Sequence, residues 1–197
     1  MRLQDELGAW VWLALFALVI AFFHVSEFAI NWWFHGTGNT TRRNWLCSRS
    51  YAAAMGFAVL EFCVEALLVP QMKGNVYVVA AGAVGIVIGE GCRKGGEITA
   101  AHNFTHEIAY RRVPEHKLVT HGIYNVMRHP GYFGFFLWSV STQLLLCNPV
   151  SVVAFTVVTW RFFDDRIRHE EDLLVSFFGK QYEDYRSKVT TYIPYIP

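Results

Sequence analysis

The chain has 197 residues, of which 53% are hydrophobic and 17% charged, and a formal net charge of +1. That balance is the composition of a membrane protein. It excludes a nucleic-acid partner, whose phosphates would demand a clear excess of Lys and Arg. Cys47, Cys63, Cys92 and Cys147 form no CxxC pair, and they read as reduced structural residues with no disulfide or metal role.

Leu7 to Phe23 carries no charge and apolar character resumes from Glu27 to Phe34, enough to cross about 30 Å of hydrocarbon. No basic segment and small-residue cleavage site surround this run, so it is expected to be a retained first span. A polar linker with Arg42, Arg43 and Arg49 leads into a second span, Tyr51 to Val69, which ends at Pro70 and carries Glu61 and Glu65. Val76 to Gly89, extended through Cys92, forms a third span whose Gly and Ala residues suit close helix packing in lipid. Residues 93 to 131 are too charged for lipid and are expected on the water side.

Tyr132 to Trp160 then runs without a charge. A single helix of that length would measure about 43 Å, too long for a bilayer without steep tilt. Asn148 and Pro149 resemble a helix N-cap followed by proline at the first helical position, so the spacing predicts a short hairpin turning at 147–149. Residues 161 to 197 should form an amphipathic helix stopping at Gly179 and a second one over Gln181 to Val189. The reading is thus an all-α integral membrane protein in one domain with about five transmembrane helices. Residues 1–92 give three spans, 93–131 a cytosolic segment, 132–160 the hairpin, and 161–197 cytosolic helices.

Fifteen of the seventeen Lys and Arg fall on one side of this layout, leaving Arg2 and Lys73 on the other. The positive-inside rule makes the crowded side cytosolic and the N-terminus lumenal. The sequons at Asn39 and Asn103 then face the cytosol and should be unused; glycosylation of either in cells would overturn the topology.

No nucleotide fingerprint, Ser-His-Asp order or metal-ligand motif stands out, and "GEGCRKGG" at 89–96 follows a lipid-type helix where a phosphate cradle needs a strand. A dispersed histidine such as His24 reads as packed. Glu27, Glu61 and Glu65 lie within spans, where ionisable groups usually face a protein interior. Their plain reading is pairing with arginines or hydroxyls of other helices. Two stretches carry chemistry. "HKLVTHGIYNVMRHPGY", 116–132, has an extended start that offers backbone groups. "WRFFDDRIRHEE", 160–171, places Arg166 and Glu170 four apart on one helix face. A solvated, salt-bridged helix would explain the second alone, but its position beside the hairpin also fits a site open to water and lipid.

At these stretches the sequence resembles the isoprenylcysteine carboxyl methyltransferases. The resemblance is carried by "HKLVTHGIYNVMRHPGYFGFFLW", "TQLLLCNP" and "WRFFDDRIRHEEDLLVSFFGKQYEDYRSKV", with "FTHEI" at 104–108 upstream. It implies a non-Rossmann methyltransferase of the endoplasmic reticulum membrane with its active site facing the cytosol. Its reaction would methylate the C-terminal carboxylate of farnesyl- or geranylgeranyl-cysteine in prenylated CaaX proteins, using S-adenosyl-L-methionine. By the same resemblance His116, Lys117, Leu118, Val119, Tyr124, His129, Pro130, Gly131 and Tyr132 would enclose the methyl donor, Glu170 would contact it, and Arg166 would hold the substrate carboxylate. No metal is implied. Gly131 and Ser141 depart from the family's frequent Ser and Gly. A phospholipid N-methyltransferase, an NADPH-dependent sterol reductase and a non-enzymatic scaffold are the competing readings.

Overall fold

The computed structural model describes residues 2–39, 46–114 and 116–196. Arg42, Arg43, the Thr residues of the Asn39 sequon and Glu115 lie outside them. Six α-helices occupy Arg2–Asn39 (α1), Arg49–Leu68 (α2), Val76–Ala100 (α3), Pro130–Leu145 (α4), Pro149–Phe178 (α5) and Lys180–Arg186 (α6). No strand occurs among the described residues; Met127 and Thr190 form an isolated parallel bridge. Three segments are long and apolar enough to cross a membrane: Gly8–Gly36, Arg49–Leu68 and Val76–Asn103.

Local sequence explains the boundaries. α1 departs from helical geometry at Gly36, whose φ of 70° glycine adopts without steric penalty. Ser48 starts α2 by accepting a hydrogen bond from the Tyr51 amide at 3.1 Å. Asn75 does the same for α3 through the amides of Tyr77 and Val78. α5 ends at Gly179, the expected stop, with φ 55°. α4 begins at Pro130, in keeping with proline's preference for the first helical turn.

α3 and α4 pack with their backbones almost touching. A Cβ added at Gly85 would stand 2.1 Å from Ser141 Oγ, and one at Gly134 would stand 2.5 Å from the Gly89 carbonyl. The small residues of the third span thus serve close approach, as expected. "GEGCRKGG" is interior helix here, and no phosphate loop forms from it.

Two helices run further than the sequence reading placed them. α3 continues past Cys92 to Ala100, so Arg93, Lys94 and Glu97 are helical residues and not part of a water-side loop. Arg93 is buried because Glu27 of α1 receives its Nε at 2.7 Å and its second terminal nitrogen at 2.6 Å. His106 and Lys94 also bond Glu27. α5 likewise runs unbroken through Trp160 and Arg161, where a membrane arm and a separate amphipathic helix were expected. With neither glycine nor proline from Val150 to Phe178, nothing interrupts it.

The turn at 147–149 forms as expected, with Cys147 at φ 50°, but its cap differs. The Asn148 side chain does not cap α5; it donates to the Ala58 carbonyl at 2.9 Å and accepts from Lys73 Nζ at 2.7 Å. Glu61 of α2 caps instead, accepting from the amides of Val150 at 2.7 Å and Ser151 at 2.8 Å and from the Ser151 hydroxyl. A carboxylate is well suited to the positive end of a helix. Lys73 is 1% exposed and completes the knot, donating to Glu65 at 2.6 Å and to the carbonyls of Leu146 and Cys147. Glu27, Glu61 and Glu65, the glutamates that stood out in the sequence, are therefore each tied to other elements. Lys73→Ala strands Glu65 and three acceptors, and should cost about 3–5 kcal/mol, the usual penalty for breaking a buried pair. Thermal unfolding in detergent would show it as a lowered Tm.

Past α6 the tail folds back. Ile193 and Ile196 bury against Phe163 and Ile167 of α5, and Trp160 donates its indole N–H to the Pro194 carbonyl at 2.7 Å.

Candidate active site

Two cavities meet beside the N-terminus of α4. The first, about 140 Å³, is the more polar of the two and opens beside the C-terminal half of α5. Lys117, Leu118, Val119, Tyr124, His129, Pro130, Gly131, Tyr132 and Glu170 all line it. His116 does not; its backbone amide bonds the Val113 carbonyl at 3.0 Å. The second, about 460 Å³, lies between α2 and α5 and is walled mostly by apolar groups, among them Met55, Phe135, Ala154, Phe155 and Phe163. Arg166 faces this one, so the structure puts Arg166 and Glu170 on opposite sides of a divide.

Tyr132 is that divide, with Phe104 and Thr105, since these three line both cavities. Its hydroxyl donates to Glu170 Oε2 at 2.5 Å and accepts from Arg166 Nε at 2.8 Å. The Arg166–Glu170 spacing was expected to bring the two together on one helix face; here the phenol sits between them. Arg166 also donates to the His106 carbonyl at 2.6 Å, and its guanidinium lies 5.3 Å from the centre of the Tyr132 ring. The Tyr132 ring is fixed by stacking with His129 on one side, centroids 5.4 Å apart, and Phe163 on the other, 5.1 Å apart.

The wall at 129–131 is held from both ends. Arg93 donates to the Gly131 carbonyl at 3.0 Å, and a Cβ at Gly131 would come within 3.2 Å of Phe104. Glycine therefore lets the Phe104 ring pack close against the backbone. On the other side Glu171 Oε1 accepts from Arg128 Nε at 2.8 Å, His129 Nε2 at 3.1 Å and Tyr182 Oη at 3.0 Å. Burial would raise the Glu171 carboxyl, but the bonds and charges of His129 and Arg128 outweigh that and hold it down at about 2. Burial also pushes the Tyr124 and Tyr182 phenols well above their usual range, so both remain neutral donors. Because Glu171 is more acidic folded than its ordinary 4.5, its contribution is complete above about 4.5 and is lost as pH falls towards 2. The wild-type Tm should therefore fall over that window, and Glu171→Gln should flatten the fall.

The first cavity can receive a compact cationic ligand: Glu170 offers a carboxylate, Tyr132, Tyr124 and Phe104 offer aromatic rings, and the irregular backbone at 117–119 offers hydrogen bonds. The apolar cavity, with a guanidinium at its polar end, suits a lipid tail ending in a carboxylate.

The family model described as "Isoprenylcysteine carboxyl methyltransferase (ICMT) family" matches residues 80–176. A probable protein-S-isoprenylcysteine O-methyltransferase of Oryza sativa subsp. japonica is 50% identical over 182 residues, covering 92% of this chain and 95% of the relative. The chain belongs to the isoprenylcysteine carboxyl methyltransferase family. Protein-S-isoprenylcysteine O-methyltransferase B of Arabidopsis thaliana is 46% identical, with 91% of each chain covered. The solved structure of a eukaryotic intramembrane Ras methyltransferase of the isoprenylcysteine carboxyl methyltransferase family superposes with a TM-score of 0.92 at 34% identity. It spans all of this chain, which covers 72% of the solved one.

In this family member several cavity residues escaped the sequence reading. Asn103 orders the cavity edge by accepting from the Lys117 amide at 2.9 Å. Tyr185 donates to the Tyr124 carbonyl at 2.5 Å, and with Tyr182, three residues earlier, it lines the cavity from α6. The Tyr182–Tyr185 spacing was the visible signal for a shared helical face. Arg128, which lines the cavity, and Glu171, which lies behind it, were overshadowed by the neighbours His129 and Glu170.

Proposed function

We propose that this chain transfers a methyl group from S-adenosyl-L-methionine to the C-terminal carboxylate of a farnesyl- or geranylgeranyl-cysteine in prenylated CaaX proteins. The observation that carries the reading is the junction at Tyr132. A polar cavity with Glu170 and an apolar cavity with Arg166 approach each other across one phenol ring.

The bound donor supplies an electrophilic methyl group whose transfer cancels the sulfonium and carboxylate charges, with no proton changing hands. A carboxylate with a pKa near about 3.5 is already ionised at neutral pH, so the protein needs no general base. Its task is alignment and exclusion of water. Arg166 orients the carboxylate with its planar fork, which a lysine cannot reproduce. Glu170 draws the donor's amino group to the opposite side of Tyr132. His129, Pro130 and Gly131 form the wall against which the donor would pack, while Lys117, Leu118 and Val119 close the facing side; His116 lies outside the cavity and takes no part in it.

The tail supplies much of the affinity, at about 0.8 kcal/mol per buried CH₂. Phe57, Val158 and Phe162 are exposed at the rim of the apolar cavity, on α2 and α5. A prenyl chain therefore enters sideways from the lipid between these helices and never crosses water. Five spans are assigned, α4 and the first half of α5 forming the short hairpin, with the site on the cytosolic face of the endoplasmic reticulum membrane.

Membranes containing the protein, given labelled S-adenosyl-L-methionine with N-acetyl-farnesylcysteine or phosphatidylethanolamine, separate the readings. Base-labile label on the prenylcysteine alone supports carboxyl methylation. Label on the phospholipid alone would make the chain an N-methyltransferase.

A further inference from the structure

Glu170 and Glu171 are adjacent in sequence yet point to different tasks. Glu170 lines the polar cavity with its side chain 27% exposed; Glu171, at 10%, is turned behind the wall. Its carboxylate gathers four groups from two segments. Arg128 and His129 reach it from the loop before α4, Tyr182 from α6, and Arg186 stands 3.6 Å away at the end of α6. Arg128, fixed by Glu171, also donates to the Arg186 carbonyl at 3.2 Å and to the Val189 carbonyl, and its own amide bonds the Thr190 carbonyl at 3.0 Å. The folded-back tail is thereby latched to the residue just before the donor wall.

The bond to His129 also decides which ring nitrogen carries a proton. A carboxylate only accepts, so the 3.1 Å contact requires N–H at Nε2. Nδ1 then lies on the cavity side, 4.0 Å from Glu170 Oε2. Without Glu171 the ring would lose both its tautomer and its orientation, along with its stacking on Tyr132.

We propose that Glu171 is a positioning residue of the methyl-donor cavity: it fixes the His129 proton on Nε2 and clamps Arg128 to the C-terminal tail, so that the 129–131 wall stands preformed before the donor binds. Glu171 touches neither substrate and acts through His129 and Arg128. The inference rests on the donor reading of the polar cavity given above. Preforming a wall lowers the ordering cost of binding, so its loss appears in donor affinity before anything else.

The test uses the full chain in lipid nanodiscs. Glu171→Gln should raise the Kd for S-adenosyl-L-methionine about tenfold, the effect of losing one charge-assisted bond, while KM for N-acetyl-farnesylcysteine stays within about twofold. Histidine ¹⁵N NMR should place a proton on His129 Nε2 in the wild type and release that assignment in the variant. An unchanged donor Kd in a folded variant, or equal losses for both substrates, overturns the proposal. Should the variant not fold, the wild-type spectrum decides: a His129 protonated at Nδ1 alone overturns it, and a proton at Nε2 upholds it. A wild type that binds no S-adenosyl-L-methionine would contradict the proposed function and leave the spectrum to decide the Glu171 assignment.

Discussion

Arg166→Lys is expected to lower kcat for methylation of a prenylcysteine by about 100-fold, the loss typical of misplacing a reactant by about 1 Å, while leaving donor affinity within about twofold. Arg166 bonds the Tyr132 hydroxyl through Nε and the His106 carbonyl through a terminal nitrogen, so two fixed partners define the plane of its guanidinium. A lysine keeps the charge but offers a single, rotating ammonium that cannot hold both anchors and present two parallel donors to a carboxylate. Because the donor cavity lies across Tyr132, its occupancy should be barely affected. Steady-state kinetics with N-acetyl-farnesylcysteine, combined with donor binding by calorimetry, separates the two effects. Turnover equal to wild type would remove Arg166 from the carboxylate's path.

Tyr132→Phe should affect both substrates together. The ring keeps its stacking on His129 and Phe163, so the fold is expected to survive. The missing hydroxyl releases Glu170, which loses a 2.5 Å bond, and Arg166, which loses a 2.8 Å bond. Hydrogen bonds to charged groups contribute about 1.5–3 kcal/mol, which corresponds to about a 10- to 100-fold fall in kcat/KM. Donor Kd and prenylcysteine KM should both rise, in contrast to Arg166→Lys, where donor affinity is kept, and to Glu171→Gln, where the prenylcysteine KM is kept. Equal kcat/KM values for wild type and Tyr132→Phe, measured for each substrate, would show that the phenol does not couple the cavities.

These contrasts follow from side-chain positions that hydropathy does not encode. The three long apolar helices, the turn at Asn148-Pro149 and the stop at Gly179 were legible, because apolar length, proline and glycine act locally. The continuity of α5 was not: its pattern changes from uncharged to amphipathic near Arg161 without any change in backbone. Arg93 was read as a water-side residue for the same reason, since the Glu27 that permits its burial lies 66 positions earlier. Asn148 had the right residue type for a cap, but Glu61, 89 positions from Val150, supplies a stronger acceptor and leaves Asn148 free to hold Lys73.

At the site, most of the residues expected to enclose the donor lie on one short sequence run and converge on one cavity. The resemblance gave Arg166 and Glu170 different roles, but the ring between them was hidden, because a helical spacing of four reports that two side chains share a face and says nothing of what is inserted between them. Glu171 was hidden by its neighbour: only the positions of Arg128, His129 and Tyr182 distinguish one glutamate from the other.

The junction at Tyr132 is tested most directly by an experimental structure with S-adenosyl-L-homocysteine and a farnesylcysteine substrate bound together. The homocysteine ligand should lie against Glu170 and the 129–131 wall. The farnesyl chain should run between α2 and α5 past Phe155, with its carboxylate at Arg166, so that sulfur and carboxylate face each other beside the Tyr132 ring. A homocysteine ligand in the cavity between α2 and α5, or a prenyl chain outside it, would contradict the two-cavity account.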